Sequence, residues 1–207
     1  MPLTVDRFVL DQQFASNCWV VRAGGQGPAA VVDPGGDPTP LLEAGIEVAG
    51  ILVTHSDIDH IGGVGALAGA TGAAVWIPAG EADVLRRGTT RGGFPVPAHE
   101  PEHEVRDGDA VTVAGVTFEV VGIPGHSVDH VAYFADGMLF SGDLLFRGSV
   151  GRVDFEGGDW ATLVESVRRL ADRFGDATVY PGHGGPTTLA HELETNPFLH
   201  ELRAPAR

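Results

Sequence analysis

The apolar run Gly50–Thr54 (GILVT) passes without a break into His55-Ser56-Asp57-Ile58-Asp59-His60, and no other feature constrains the chain as tightly. A run this apolar reads as a buried strand. Burying it brings His55, Asp57, Asp59 and His60 to the rim of the core. Imidazoles and carboxylates crowded together are costly to bury unless a cation neutralises them, and this mixture of donors suits Zn, Fe or Mn. Taken alone, the segment also suits a polar turn, where Asp is common.

Three further residues repeat the pattern. His126 follows the run Glu119–Pro124 (EVVGIP), Asp143 follows Leu139-Phe140-Ser141-Gly142, and His183 follows Val179-Tyr180-Pro181-Gly182. Each stands just past an apolar strand, usually behind a glycine. Strand ends on one edge of a sheet lie near each other, so all four segments can face one cleft. Glycine beside a ligand lets the backbone approach closely. The set of seven, His55, Asp57, Asp59, His60, His126, Asp143 and His183, therefore reads as a metal centre.

Around these segments the chain alternates between period-2 and helical patterns. Strands are expected at Val5–Leu10, Cys18–Arg22, Ala29–Asp33, Gly50–Thr54, Ala73–Ile77, Val111–Val113, Val116–Val121, His130–Ala135, Met138–Ser141 and Thr178–Tyr180. Ala114-Gly115 and Asp136-Gly137 are hairpin turns. Helices are expected at Pro40–Ala44, Ile61–Ala70, Gly80–Arg87, Asp159–Phe174 and Leu189–Leu193, with Asp159 as an N-cap. Residues 88–104, rich in Gly, Pro and His, read as a loop. Strands in two groups, each with helices, bury every apolar face as two packed sheets with helices outside. That is one four-layer domain over residues 1–207.

Composition narrows the partners. The net charge is −15 and the chain has no lysine, so nucleic acid and anionic membrane surfaces are excluded as partners. Cys18 is the single cysteine, which rules out an intrachain disulfide and a cysteine-rich zinc site. The N-terminal residues lack a basic start and apolar core, and no apolar stretch reaches the ~20 residues of a membrane span. A cytoplasmic location is expected. The oligomeric state is not readable from the sequence.

The segment His55-Ser56-Asp57-Ile58-Asp59-His60 resembles the His-x-His-x-Asp-His motif of the metallo-β-lactamase superfamily. Pro-Gly-His126, Ser-Gly-Asp143 and Pro-Gly-His183 match its later ligands in order. Ser16-Asn17-Cys18, the stretch Gly148 to Asp154, Gly157-Gly158-Asp159 and Thr195-Asn196-Pro197-Phe198 resemble the short bacterial glyoxalase II-like thioester hydrolases. The resemblance implies an α/β fold, an αββα sandwich of two mixed sheets. It also implies two divalent metal ions: one held by His55, position 57 and His126, the other by Asp59, His60 and His183, with Asp143 bridging.

At position 57 the family pattern has His and this chain has Asp57. A carboxylate is harder and more anionic than imidazole, and shifts the expected preference from Zn towards Fe or Mn. Flavodiiron proteins of the superfamily carry a carboxylate there and use iron. The reaction implied is attack on a thioester carbonyl by a metal-bridged hydroxide, with Asp59 and Asp143 in catalytic roles. The substrate class is an acyl-thiol of low molecular weight. Longer glyoxalase II enzymes bind glutathione through a C-terminal helical domain, for which a chain ending at Arg207 has no room. Glutathione is then held differently, or another thiol carries the acyl group. Two alternatives stand beside this reading. His55, His126 and Asp143 alone would suit a mononuclear Fe(II) persulfide dioxygenase, and the same scaffold serves lactonases and other esterases.

The remaining polar residues read as supporting structure. His99 and His103 belong to an exposed loop, Phe94 anchors a loop, and His191 and His200 lie on the surface. His130 is a strand residue beside the centre, and Asp129 is a partner for a ligating histidine. Arg152 and Asp154 form an ion pair, and Cys18 is buried packing.

Overall fold

The computed structural model describes residues 2–90 and 92–203, within which the valine-rich runs form two six-stranded sheets. The first sheet holds β1 (Leu3–Val9), β2 (Asn17–Ala23), β3 (Ala29–Val32), β4 (Val48–Leu52), β5 (Ala74–Pro78) and β6 (His103–Val105), side by side in chain order. β1, β2 and β3 are antiparallel, and the steps from β3 to β6 are parallel. Parallel neighbours need a crossover. Here α1 (Thr39–Glu43) joins β3 to β4, α2 (Ile58–Ile61) and α3 (Val64–Thr71) join β4 to β5, and α4 (Ala82–Arg87) precedes β6.

The second half opens with β7 (Ala110–Val113), β8 (Val116–Gly122), β9 (Val131–Ala135) and β10 (Met138–Gly142), an antiparallel run. A small hairpin of β11 (Leu145–Phe146) and β12 (Ser149–Val150) and the long helix α5 (Trp160–Phe174) follow. β13 (Thr178–Pro181) returns parallel to β10, and β14 (Thr187–Thr188) leads into α6 (Leu189–Thr195) and the 3-10 helix Pro197–Arg203. The second sheet thus runs β14-β13-β10-β9-β8-β7. Both expected hairpin turns form, with Ala114-Gly115 at φ 52° and 74° and Asp136-Gly137 at φ 48° and 77°. Two left-handed residues give the turn whose twist matches the strands.

Three buried apolar clusters define the layers. Trp19, Leu52, Phe118, Tyr133 and Phe140 pack between the sheets. Leu41, Ile61, Leu67 and Leu85 cover the outer face of the first sheet, and Leu163, Val167, Leu170, Leu189 and Leu199 the outer face of the second. The architecture is αββα, two mixed sheets with helices outside. In α5 the buried Leu163, Val164, Val167 and Leu170 make one stripe, and Asp159 caps the helix by accepting from Thr162 N at 2.8 Å.

The structure adds the short elements β11, β12, β14 and the 3-10 helix to the sequence reading, and departs from it elsewhere. The helix expected over Ile61–Ala70 is two helices, broken at Gly62-Gly63, where the chain runs against Gly35-Gly36. A Cβ at Gly63 would fall 1.9 Å from Gly36 O. The expected loop 88–104 ends in β6, whose pairing partner is β5. His103 therefore lies on an edge strand, its ring stacked 4.6 Å from Trp76. His130 stands just before β9 rather than in it.

Candidate metal centre

At the end of β4 the chain is fixed between the sheets before it reaches its first ligand. Val53 O accepts from Tyr133 Oη at 3.0 Å, and Thr54 O accepts from Val131 N at 3.0 Å, both donors belonging to the second sheet. His55 follows fully buried, Asp57 is the N-cap residue of α2, and Asp59 and His60 lie in α2, both buried. His126 lies past the end of β8, Asp143 directly past β10, and His183 past β13.

The structure brings all seven expected ligands together. The ligand atoms of His55, Asp57 and His126 lie within 4.8 Å of one another, as do those of Asp59, His60 and His183. A third group, His55, His60 and Asp143, joins the two triads. His126 Nε2 is 3.0 Å from Asp57 Oδ2, and His183 Nε2 is 3.1 Å from Asp59 Oδ2. Asp143 divides its oxygens, Oδ1 lying 3.2 Å from His60 Nε2 and Oδ2 3.4 Å from His183 Nε2. Asp143 is thus grouped with His55 and His60 rather than with His55 and His126.

Partners behind the rings set which nitrogen faces inward. Asp33, buried at the end of β3, accepts from Thr54 N at 2.8 Å and Thr54 Oγ1 at 2.7 Å. His60 Nδ1 lies 2.9 Å from Asp33 Oδ2, and His126 Nδ1 lies 2.8 Å from Arg152 O. A carboxylate and a carbonyl can only accept, so Nδ1 carries the proton in both rings. Thr54 Oγ1 gives its proton to Asp33 and accepts from His55 Nδ1 at 3.0 Å. All three Nε2 lone pairs then point into the site, the orientation a metal requires.

Buried polar atoms normally find partners. Here His55 Nε2, His60 Nε2 and Asp143 Oδ1 meet no hydrogen bond among the described residues, although the last two lie 3.2 Å apart. Lone pairs converging from three buried side chains repel one another, and a cation between them removes that cost. The donor set therefore fits divalent metal ions.

The protonation behaviour agrees. Burial, then His60, pushes the His55 imidazole well below its ordinary pKa. Burial would also lower His60, but Asp143 and Asp33 hold it well above the ordinary value. Burial works against Asp143 too, yet His60 and His183 hold its carboxyl well below the usual range. His183 is pushed up to about 9, the carboxylates of Asp143 and Asp59 outweighing burial. The centre attracts positive charge, so protons and metal ions compete for it.

Asp33, and the contacts made by several other neighbours, escaped sequence reasoning. Asp33 stands at a strand end, as the ligands do, and that was the available signal. Ser16 Oγ donates to Asp59 O at 2.7 Å, and Asn17 N to Gly182 O at 2.7 Å, which ties β2 to the loops of Asp59 and His183. Gly182 is required for close approach, since a Cβ there would fall 2.1 Å from Asp143 Oδ1. Asp129, expected to orient a ligating histidine, lies against Gly80 instead. The ring partners are Asp33, Thr54 and the Arg152 carbonyl. Arg152 pairs with Asp154 through two bonds of 2.7 and 2.6 Å, as expected. His191, His200 and Phe94 are exposed, and Cys18 is buried.

Residues 11–183 match the sequence family described as the metallo-beta-lactamase superfamily. The chain is 32% identical to hydroxyacylglutathione hydrolase GloC of Haemophilus influenzae over 200 residues, covering 90% of this chain and 93% of that protein. It is 41% identical to a hydroxyacylglutathione hydrolase of Methylobacillus flagellatus over 171 residues, 80% of this chain but only 60% of that longer protein. Among solved structures it is similar to BLEG-1 B3 metallo-beta-lactamase, with a TM-score of 0.87 and 30% identity over 95% of this chain and 99% of that one. It is also similar to TTHA1623 in a di-iron-bound form, with a TM-score of 0.81 and 35% identity over 94% of this chain and all of that one.

Proposed function

The chain belongs to the metallo-beta-lactamase superfamily and is a metal-dependent hydrolase, and we propose that it hydrolyses a small acyl-thiol, such as a hydroxyacyl thioester, at a dinuclear centre. The observation that carries this reading is the pair of adjacent triads, joined by an Asp143 whose two oxygens face different imidazoles. In this reading His55, Asp57 and His126 would hold one ion and Asp59, His60 and His183 the other, with Asp143 available to both. Divalent ions held there would supply Lewis acidity, lowering the pKa of a bound water and polarising a carbonyl. The relatives named as hydroxyacylglutathione hydrolases support the substrate class.

The chain's own residues then do the following. Asp33, Thr54 and the Arg152 carbonyl keep the Nε2 lone pairs aimed inward throughout turnover. Asp59, its backbone held by Ser16 Oγ, orients the attacking water and holds its proton on a carboxylate oxygen. Water oxygen bonds to the carbonyl carbon, and the C–S bond breaks with its electron pair leaving on sulfur. A thiolate leaves without a proton donor near neutral pH, whereas an amine needs a general acid. His130, outside the ligand set, packs its ring against those of His55 and His126. Burial, then His126, pushes its pKa well below the ordinary value, so it is no such acid. This favours thioesters over amides.

For the metal we propose iron or manganese. Asp57 adds a hard carboxylate where the superfamily pattern has imidazole, and the similarity to a di-iron-bound protein supports it. The test is a panel of acyl-thiols, hydroxyacylglutathione included, assayed by thiol release with the chain and its Asp143→Ala variant. Release by the first and not the second is expected. Equal background rates with both would defeat the proposal.

A further inference from the structure

We propose that Glu81 is a positioning residue for the ion held by His55, Asp57 and His126, because one buried carboxylate ties together the two loops that supply these ligands; the inference rests on the dinuclear reading above. Glu81 is 4% exposed and stands at the N-cap of α4. Its oxygens are divided between two serines: Oε2 accepts from Ser56 Oγ, and Oε1 from Ser127 Oγ at 2.7 Å. Ser56 lies between His55 and Asp57, and Ser127 directly follows His126, both fully buried. The partners are 25 and 46 residues away in sequence, so these bonds shape the tertiary structure of the site and nothing local.

The ordinary role for a carboxylate at this position is to cap its own helix. Glu81 does not: α4 has no side-chain cap bond. Nor does it pair with a cation among the described residues, its carboxylate bonding only the two hydroxyls. A buried carboxylate with neutral partners is an expensive way to fill space. What it supplies is a planar two-point grip, each oxygen fixing one loop relative to the other.

The grip is itself anchored. Glu81 N donates to Pro78 O at 2.9 Å, and Ala79 N to Val105 O at 3.0 Å. Gly80 lets this segment lie flush on the turn after His126, since a Cβ there would fall 1.9 Å from Asp129 Oδ2. The other triad is held by different groups, Asp33 behind His60 and Ser16 behind Asp59. Removing Glu81 should therefore loosen one ion and spare the other. Carboxylates that orient ligands typically change metal affinity by about 10- to 100-fold when lost.

The experiment is stepwise metal titration of the full chain against a chromogenic chelator, using Mn(II) and Zn(II), for wild type, Glu81→Ala, Glu81→Gln and Ser127→Ala. Thermal unfolding of each metal-free protein is measured alongside. Glu81→Ala is expected to weaken one binding step about 10- to 100-fold, with the other unchanged within about threefold. Glu81→Gln should recover most of the loss, because an amide accepts from one serine and donates to the other. Ser127→Ala should fall between. Unchanged affinities in Glu81→Ala, or both steps weakened alike in all three variants, overturn the proposal. If Glu81→Ala does not fold, the same comparison is read from Glu81→Gln and Ser127→Ala. Wild type binding a single ion contradicts the dinuclear reading instead; Glu81 is then judged on that ion, an unchanged affinity overturning its role.

Discussion

One oxygen of Asp33 receives both Thr54 Oγ1 and His60 Nδ1, and through Thr54 Asp33 fixes His55. Replacing it with Ala strands a buried imidazole N–H and a buried hydroxyl. A stability loss of about 2–4 kcal/mol is expected in chemical denaturation, with metal affinity about 10- to 100-fold weaker. His183 gives a pH dependence of defined sign. Its pKa in the metal-free protein is raised to about 9, so a proton must leave before the ring can bind metal at lower pH. Apparent affinity should therefore rise with pH by up to about tenfold per unit until about pH 9, then level off. Affinity that stays flat from pH 6.5 to 9 in the same titration, on the order of no change over the range, would contradict that role. Burial pushes the Cys18 thiol up, so a thiol reagent is expected to label it only after unfolding, as mass spectrometry can check.

At the scale of elements, the strands and their ends were legible because β4 and β10 are nearly uninterrupted apolar runs, while β8 and β13 alternate buried residues with more exposed ones. Placing the seven ligands at strand ends followed from that. The groups behind them were not legible, because no local pattern marks a pairing such as Asp33 with His60 or Glu81 with Ser127. β6 was hidden for a related reason: His103-Glu104-Val105 carries one buried residue, and only its pairing with β5 makes it a strand. The α2–α3 break was hidden because Gly62-Gly63 reads as tolerable within a helix until Gly35-Gly36 lies against it. Gly142 couples an element to the site. It has φ 47°, and a Cβ there would meet Thr54 Oγ1 at 2.4 Å and His130 Nε2 at 2.6 Å. Gly142→Ala should cost about 2–4 kcal/mol by the same denaturation measurement, more than a strained turn alone, because Thr54 must shift.

Across the whole molecule, the ligands come from both sheets. His55, Asp57, Asp59 and His60 follow β4, while His126, Asp143 and His183 follow strands of the second sheet. Bound ions would therefore cross-link the two halves of the sandwich and offset part of the −15 charge. Ligand binding to the folded state at about 100 times Kd contributes about 2.7 kcal/mol. With two such ions, and at about 2–4 °C per kcal/mol, stripping the metals should lower the melting temperature by about 10–20 °C, and adding Mn(II) or Fe(II) back should restore it. No helix among the described residues is long and apolar enough to cross a membrane. The most direct test of the dinuclear centre is elemental analysis of the chain purified without chelators or added metal. About two ions of Fe or Mn per chain are expected, falling to about one or fewer in Asp143→Ala. A single ion per chain that stays single after reconstitution would contradict it.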